Sequence, residues 1–453
     1  MSACERAIAY AQNLGIDECE SVFAKRNIIT VRVTDSRIIE VKQNQEEKIG
    51  IRVIRDKKIA SAETRDVENY KKIIDYAIDS FRFLSPKPFW KSLPSEDRTN
   101  FEINSTYDKK LKNITSKDAS DIAQEMINSS LDKKISSITG SLNIVDEEFH
   151  IQNTNGVEES DFATYISGII NADSTLGNTP VSGIGQMSGR TRDMFSPEKI
   201  GHEAKSMCIG SINPIDCESG EYSIIFEPYS VGEMLAFVFA SNFNLKVFAE
   251  KKSCFSERLG NSIAVDEFNL IDDPHAPNGI GSKKIDDEGI PTSPNSLIEN
   301  GIFKNTFSDS YNAFKESTKS TGNANRPGLP MGRDADSFPI SSPHNLRIKK
   351  GDTPQEEMIE ETKSGILVGR LWYTYAVNPI KGDFSCTARS GIRIIKNGQI
   401  VSPAKPVRII HNLPTMLRNI SAIGNDDRNV LQWASLPSIT PSIKAEKIRV
   451  VPI

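Results

Sequence analysis

The sequence predicts an α+β fold, in which an N-terminal α/β domain with an antiparallel sheet and flanking helices is followed by a β-dominated C-terminal domain. Short segments rich in β-branched residues, separated by polar turns, recur along the N-terminal half. Capped helical segments lie between groups of these strands. From about residue 250 onward, strands alternate with long loops rich in Gly, Pro and Asp.

The first element is a helix, because ERAIAYAQNLG has helical apolar spacing and stops at Gly15, a suitable C-terminal cap. The segments SVFAKRNIITVRV, RIIEVKQ, KIGIRVIRD and KIASAET then predict an antiparallel meander. A second helix is expected over residues 66–84, before the two prolines of SPKPFW. Residues 85–115 are polar and irregular, which is typical of a connector.

The rest of the N-terminal half repeats this order of helix, strands and helix. SKDASDIAQEMINSSL predicts a helix with Ser116 or Asp118 as its N-cap. The following strands are interrupted by Asn155-Gly156, a strong hairpin signal. The helix in SPEKIGHEAKSMCIGS begins at the cap Ser196, directly before a proline.

A domain boundary is expected in SINPIDCESG. It divides the chain into an N-terminal α+β domain, residues 1–215, and a β-rich C-terminal domain, residues 216–453. The connector separates two subregions of the first domain, residues 1–84 and 116–215.

In the C-terminal half, EYSIIFEP predicts a strand that leads into an apolar helix over residues 231–243. This run is far shorter than the ~20 residues that span a bilayer, so a buried helix and no membrane contact are expected. Further helices are expected near 354–364 and 414–420.

Composition and net charge limit the classes of function that the chain can have. The net charge of -5 and a pI near 5.8 argue against direct nucleic-acid binding. The six cysteines form no CxxC pair, so reduced thiols in a cytoplasmic protein are expected. The N-terminal apolar stretch is too short for a signal peptide.

The His-Glu pair in GHEAKSMC resembles the start of a zinc-peptidase helix. Such a helix needs a second histidine four residues after His202, and that position is Ser206. The pair is therefore interpreted as part of the solvated face of a capped helix. None of the other four histidines has a His or Cys partner within four residues.

Residues 270–301 contain two Asp-Asp pairs, a Glu and a His among several Gly and Pro residues. Such carboxylates could hold a hard cation or supply acid/base chemistry, although the spacing does not match an EF-hand loop. The alternative is a pair of acidic turns whose Asp side chains bond to nearby backbone amides. The second alternative is favoured because the ligand pattern is missing.

Two cysteines are candidate nucleophiles. Cys254 has basic neighbours that could lower its thiol pKa, and Cys386 lies in a Gly-rich strand-turn context. Neither has an adjacent histidine, and buried or idle thiols are expected at both positions.

The segments LIDDP, DDEGIPT, LIENGIFKNTFSDSYNAFK, STGNANR, VNPIKGDFSC and AIGND follow one another between about residues 270 and 426. Together they resemble the TldD/TldE family, also called PmbA or modulator of DNA gyrase. In this resemblance the family-motif loop contains Asp286, Asp287, Glu288 and Gly289.

The resemblance implies a particular branch of the family. TldD-type members are zinc peptidases with HExxxH on the helix after the first strand of the C-terminal domain, and a late cysteine is a further ligand. Here the corresponding positions are Ala236, Phe237 and Ser241, and no cysteine follows Cys386, although NDDRNVLQWASLPSIT occupies the expected region. The chain is thus similar to the TldE (PmbA) branch, with no metal and no cofactor of its own.

The same resemblance implies a heterodimer with a TldD-like zinc-bearing chain, or a homodimer in its absence, that binds unfolded peptides. In this hypothesis the chain completes a chamber and the partner supplies catalysis. Two alternatives remain open: an independently active peptidase that uses an unrecognised site, and a protein-binding regulator of the gyrase-modulator type.

Overall fold

The computed structural model of the chain describes residues 2–95, 103, 105–336, 338–432 and 436–453. Six strands build the N-terminal half: β1 (Glu18–Thr34), β2 (Arg37–Arg55), β3 (Lys58–Thr64), β4 (Ser137–Asn153), β5 (Glu158–Ser174) and β6 (Val181–Gly189). They form one antiparallel sheet in the order β3-β2-β1-β4-β5-β6. The predicted antiparallel sheet is therefore confirmed.

Helices cover one face of this sheet: α1 (Ala3–Asn13), α2 (Tyr70–Ser80), α3 (Lys109–Lys112), α4 (Ser116–Ser130) and α5 (Pro197–Ile209). Along β1, alternate residues such as Ile29 and Val31 pack with α4 and α5, since successive side chains of a strand point to opposite faces. Ser196 caps α5 by accepting a hydrogen bond from the Lys199 N–H, as predicted.

Two sequence predictions in this half were wrong in detail. RIIEVKQ and KIGIRVIRD are parts of one strand, β2, because β1 pairs with it along nearly its whole length. The N-cap of α4 is Thr115, which forms a capping box with Asp118. Of the predicted connector, residues 96–102 and residue 104 lie outside the described part of the chain.

The C-terminal half contains two larger sheets and one two-stranded sheet. Its strands are β7 (Gly220–Phe226), β8 (Leu270–Asp272), β9 (Asn295–Glu299), β10 (Ile302–Phe303), β11 (Ala324–Asn325), β12 (Ile340–Ser341), β13 (Leu346–Ile348), β14 (Ser364–Val368), β15 (Arg370–Asn378), β16 (Asp383–Ser390), β17 (Arg393–Lys396), β18 (Gln399–Pro403), β19 (Val407–Asn412), β20 (Ile420–Ile423), β21 (Arg428–Val430), β22 (Ser438–Thr440) and β23 (Ile443–Pro452). The nine-stranded sheet has the order β15-β16-β19-β23-β7-β14-β17-β18, with β20 paired to β23. The six-stranded sheet has the order β10-β9-β8-β13-β22-β21.

Five short helices accompany these sheets in the described residues: α6 (Pro228–Met234), α7 (Leu245–Ala249), α8 (Ser310–Lys315), α9 (Gln355–Glu360) and α10 (Leu413–Arg418). The last two correspond to the helices predicted near 354–364 and 414–420. The apolar helix predicted over 231–243 is not regular, because α6 passes into a π-turn at Leu235–Phe239 and then into a 3₁₀ turn. Its apolar side chains join the main C-terminal core.

The second face of the N-terminal sheet packs against the C-terminal half. Val22 and Phe149 meet Ile285 and Ala335 in one apolar cluster. A second cluster joins residues of β1, β4 and β5 to Ile280 and to the loop before β12. The sheet is thus covered on both faces, by its own helices and by the segment 280–335. None of the helices in the described ranges has the length and apolar character needed to cross a membrane.

The contact between β6 and α5 depends on two glycines. A Cβ atom on Gly185 would lie 1.9 Å from the Ile200 carbonyl oxygen, and one on Gly183 would lie 2.2 Å from the Ala204 carbonyl oxygen. Both neighbours are backbone atoms, which cannot move aside as a flexible side chain can. The helix backbone therefore lies directly on the strand.

The substitution Gly185→Ala should reduce the free energy of unfolding by about 2 kcal/mol, because it forces α5 away from β6. Urea denaturation followed by circular dichroism measures this change. The control is Gly220→Ala, where the nearest atom to the added Cβ is 3.4 Å away. Equal stability of the two variants would contradict the close packing of α5.

Candidate functional site

The three positions singled out by sequence lie together on the outer side of one helical segment. Ala236 is half-buried, Phe237 is 39% exposed, and Ser241 is exposed. Leu235 and Val238, by contrast, are buried in the core. The segment therefore exposes two of the three positions, Phe237 and Ser241, that the sequence resemblance aligns with HExxxH.

The backbone of this segment suits side chains five residues apart. On a regular α-helix such residues are separated by about 140°. Here the Ala240 N–H donates to the Leu235 carbonyl, the i to i+5 bond of a π-turn, which brings Ala236 and Ser241 towards the same side. This π-turn is not predictable from the sequence, because the apolar pattern of the segment carries no signal for it.

The side chains at these positions do not fit a metal ion. Alanine and phenylalanine have no ligand atom, and serine offers only a weakly basic hydroxyl. Within the described ranges, no group of three or more His, Cys, Asp or Glu residues is arranged to hold a metal. Residues 433–435, part of the region in which the late cysteine was sought, lie outside those ranges, and their sequence is Trp-Ala-Ser.

A buried carboxyl group precedes the π-turn. Glu233 is 3% exposed and accepts a hydrogen bond from the Leu371 N–H at 2.7 Å. Burial raises the pKa of Glu233 to about 8, so this carboxyl group is largely protonated at neutral pH. It connects α6 to the first residues of β15.

The other sequence candidates have structural surroundings. His202 is exposed on α5, and Glu203 pairs with Arg428 at 2.7 Å, which links the two halves of the chain. Burial raises the pKa of the Cys254 thiol to about 12 and also raises that of Cys386. Both thiols are therefore protonated at neutral pH and are poor nucleophiles.

The family-motif loop is fully buried. Asp286 accepts hydrogen bonds from the backbone N–H groups of Glu288, Ile290 and Ala324, at 2.9, 2.9 and 3.1 Å. Such contacts are those that the acidic-turn interpretation predicts. The turn between Asp286 and Ile290 contains Gly289 at φ 83°, a left-handed conformation that favours glycine.

The next carboxylate of the loop joins a network that reaches the N-terminal sheet. Arg52 donates to Glu288 at 3.0 Å and to Glu20 at 2.8 Å, while Glu20 also accepts from Arg326 at 2.5 Å. We call these four residues the charge cluster. Each is 3% exposed or less. Burial alone would lower the pKa of Arg52, but attraction to Glu20 and Glu288 raises it. Burial alone would raise the pKa of Glu288, but attraction to Arg52 lowers it.

A second set of ion pairs lies beside the charge cluster. Asp287 accepts from the Lys283 ammonium at 2.8 Å and from a backbone N–H. Burial favours the neutral form of Asp287, but Lys283 and Arg333 outweigh it and lower its pKa. Arg333 in turn pairs with Glu147 at 2.7 Å and with Asp161 at 2.9 Å. Each carboxylate therefore has a cation or N–H partner.

The sequence did not identify the partners of the motif loop, because they lie in distant segments. Glu20 and Arg326 are separated by 306 positions, and Arg52 and Glu288 by 236. A weak signal existed in β1 and β4, where Glu20, Arg26 and Glu147 occupy positions that alternate with apolar residues. Charged residues on that face indicate either that the face is exposed to solvent or that the charges have buried partners. The sequence pattern alone does not distinguish these two cases.

At the three positions that the sequence resemblance aligns with the zinc motif, the chain holds Ala236, Phe237 and Ser241. The family profile described as PmbA/TldA metallopeptidase C-terminal domain matches residues 219–452, and the profile described as PmbA/TldA metallopeptidase domain 1 matches residues 19–80. Since the first match alone covers more than half of the chain, the chain belongs to the PmbA/TldD metallopeptidase family.

Curated relatives agree with this assignment. A metalloprotease from Methanothermobacter thermautotrophicus is 27% identical over 51% of this chain and 49% of its own length. A metalloprotease TldD homolog from Buchnera aphidicola is 34% identical over 38% of this chain and 34% of its own length. The chain thus spans about half or less of these two relatives.

The fold itself is shared with a solved structure. TldE from Thermococcus kodakarensis superposes with a TM-score of 0.89 and 23% sequence identity, covering 99% of this chain and 100% of that one. At this identity the comparison establishes the fold.

The contribution of the charge cluster to stability can be compared with that of an exposed ion pair. Arg52→Met leaves Glu20 and Glu288 with one cation fewer in a buried environment and should cost about 3–5 kcal/mol of stability. The matched control is Lys25→Met, which removes an exposed pair with Glu47 and should cost less than about 1 kcal/mol. Chemical denaturation measures both values. Similar losses in the two variants would show that the cluster is not buried in solution.

The raised pKa of Glu233 predicts a pH effect. Folded Glu233 keeps its proton up to about pH 8, whereas the unfolded side chain releases it near 4.5, so this residue's contribution to stability is lost as pH rises between these values. Glu233→Gln keeps the hydrogen bond and removes the titration. As pH rises over that window, the free energy of unfolding of the wild type should fall relative to that of Glu233→Gln by at most about 1.4 kcal/mol per pH unit.

Urea denaturation at several pH values from 4.5 to 8 measures this difference. Glu360→Gln on exposed α9 is the control and should show no such trend. A difference between wild type and Glu233→Gln that stays constant with pH would contradict the buried, protonated state.

Proposed function

We propose that this chain is the metal-free, TldE-like subunit of a heterodimeric metallopeptidase, in which a TldD-like partner supplies zinc. The observation that carries the proposal is the triad of Ala236, Phe237 and Ser241 on the outer side of the π-turn. The backbone turn that suits HExxxH spacing is present, but the side chains offer neither two imidazoles nor a carboxylate to activate water. The role left to this chain is structural and substrate-binding.

The likeness to a protein named TldE supports this assignment. The raised pKa values of the Cys254 and Cys386 thiols argue against an independent cysteine peptidase. All six cysteines are free of disulfides, which is consistent with the proposed cytoplasmic location. The acidic net charge gives no support to direct DNA contact, so a gyrase-modulating role would also require a protein partner.

An exposed apolar edge next to the π-turn is the proposed contact surface for unfolded peptides. β15 lies at one edge of the nine-stranded sheet, beside the Leu235–Phe239 segment. Tyr373, Tyr375 and Val377 on this strand are 70%, 47% and 57% exposed. An extended peptide can add to such an edge through backbone hydrogen bonds while its side chains contact the exposed rings.

The ladder along β15 is not continuous. A bulge lies between Trp372 and Tyr375, where Tyr373 adopts φ 47°. Bulges limit the pairing of an edge strand with other sheets and so protect it against aggregation. The proposed peptide contact therefore depends on the exposed side chains as well as on backbone pairing.

The decisive experiment compares the purified chain alone with the chain co-purified with a TldD-like protein. Alone, the chain should hold no stoichiometric zinc and should not degrade an unfolded peptide. The complex should hold zinc on the partner and degrade the peptide in a chelator-sensitive reaction. Stoichiometric zinc on the lone chain, or activity of the lone chain that survives a chelator, would contradict the proposal.

The contribution of β15 is measured in the same complex. Tyr373→Ser should raise KM for the unfolded peptide several-fold with little change in kcat, since it removes binding surface only. The matched control is Phe83→Ser, which removes a 79% exposed ring far from β15 in sequence. Equal kinetics for both variants would exclude β15 from the peptide contact.

A further inference from the structure

A cavity of about 330 Å³ lies where α5 and β6 meet the C-terminal half of the chain. This volume lies within the range of small-molecule sites. None of its described lining residues is a position aligned with the zinc motif. Acidic and basic side chains are equally represented in this lining, namely Glu203, Glu227, Asp426, Lys199, Arg393 and Arg428.

Most of these charges already have partners. Arg428 Nη1 donates to both carboxylate oxygens of Glu203, at 2.7 and 2.9 Å. Asp426 accepts from the backbone N–H and the hydroxyl of Ser442, at 2.8 and 2.7 Å. Lys199 is exposed at the surface and lies 4.0 Å from Glu203. These four groups therefore gain little from a ligand.

The carboxylate of Glu227 has no such partner. It directly precedes α6 and forms no hydrogen bond or ion pair within the described ranges. Its Oε2 would lie 2.8 Å from a Cβ atom on Gly369, so the carboxylate lies against backbone. Burial raises the pKa of Glu227, and Arg393 and Arg428 oppose this shift only in part. Neither oxygen is among the unpaired described atoms that solvent cannot reach, so a ligand donor in the cavity can bind here.

The guanidinium group of Arg393, on β17, has free donors of the opposite charge. It lies at the C-terminal end of α5, where a Cβ atom on Gly210 would lie 2.9 Å from Nη2. Neither Nη1 nor Nη2 has a hydrogen-bond partner among the described residues, and neither is an unpaired atom that solvent cannot reach. Arg393 attracts Glu227, although these two described side chains form no direct ion pair. The lining thus offers one free anion and one free cation that do not neutralise each other by contact.

An apolar wall completes the cavity. Ile184 of β6, Met207 of α5 and Tyr229 of α6 line it, and all three belong to one apolar cluster. Ile184 and Tyr229 are almost fully buried, so their positions are fixed by packing. An apolar group of a ligand would extend this cluster and lose contact with water.

We propose that this cavity binds a small zwitterion that combines an ammonium group, a carboxylate and an apolar side chain. The ammonium group donates to Glu227, the carboxylate accepts from the Nη donors of Arg393, and the side chain contacts the apolar wall. This is the chemistry of a free apolar amino acid or of a very short apolar peptide. All the groups that bind the ligand belong to this chain, so binding is independent of the proposed zinc-bearing partner.

Calorimetric titration of the full chain with L-leucine and with L-leucyl-L-leucine tests the proposal. At least one of these zwitterions should bind. Its N-acetylated form lacks the ammonium group and its C-terminal amide lacks the carboxylate, so each should bind at least about tenfold more weakly. Tighter binding of L-leucine indicates a free amino acid, and tighter binding of L-leucyl-L-leucine indicates a short peptide.

The proposal is overturned if neither zwitterion binds, or if the acetylated or amidated form binds as tightly as the zwitterion. Two variants then test which residue recognises which end of the ligand. In Glu227→Gln, the zwitterion should bind no better than its acetylated form, because the ammonium group has lost its partner. In Arg393→Gln, the zwitterion should bind no better than its amide, because the carboxylate has lost its partner.

These changes in selectivity separate recognition from damage to the fold, because a partly unfolded protein would lose affinity for all probes by the same factor. The matched control is Lys396→Gln, an exposed position of β17 outside the described lining, which should leave the affinity for every probe unchanged. Equal losses for the zwitterion, its acetylated form and its amide in both cavity variants would overturn the location of the site.

Discussion

The fold depends on one shared carboxylate. Glu20 is opposite Arg52 in the pairing of β1 with β2, and it accepts from both Arg52 and Arg326. Because these charges are buried, each needs its partner, and the C-terminal loop must lie where it can provide Arg326 and Glu288. This requirement sets the position of the loop against the sheet.

Buried ion pairs of this kind contribute little to the net free energy of folding, because the cost of removing the charges from water offsets most of their mutual attraction. Their main effect is to favour one arrangement of the loop on the sheet over others. The apolar contacts on the same face, such as Val22 with Ile285, are compatible with several orientations of the loop. The charge cluster is compatible with few orientations of the loop. The motif loop can therefore be understood as the part of the C-terminal half that fits the N-terminal sheet.

Local patterns in the sequence predicted the elements that depend on local interactions. The hairpin at Asn155-Gly156 and the cap Ser196 are examples, because turn and cap preferences act over a few residues. The division of β2 into two strands was wrong because its central residues are polar and mostly exposed, so the pattern there resembles a turn. Only the pairing with β1 keeps that stretch extended.

The site was less accessible to prediction from sequence. Resemblance located the positions 236, 237 and 241, but the π-turn that brings them to one side depends on how α6 packs into the core. The ion pairs of the motif loop were not foreseen, since their cations Arg52, Arg326 and Arg333 come from separate parts of the chain. Their burial is a property of the folded chain.

The separation of Glu20 from Arg326 also has a consequence for synthesis. The two residues are 306 positions apart, so about 15 to 60 s of translation separate their appearance at typical rates of synthesis. During that interval the N-terminal sheet has its helices but not the cover of its second face. Glu20 and Arg52 would then be solvated, while apolar residues of the same face, such as Val22 and Phe149, would be exposed until the loop arrives. The charges that are costly to bury in the finished protein thus interact favourably with water in the unfinished one.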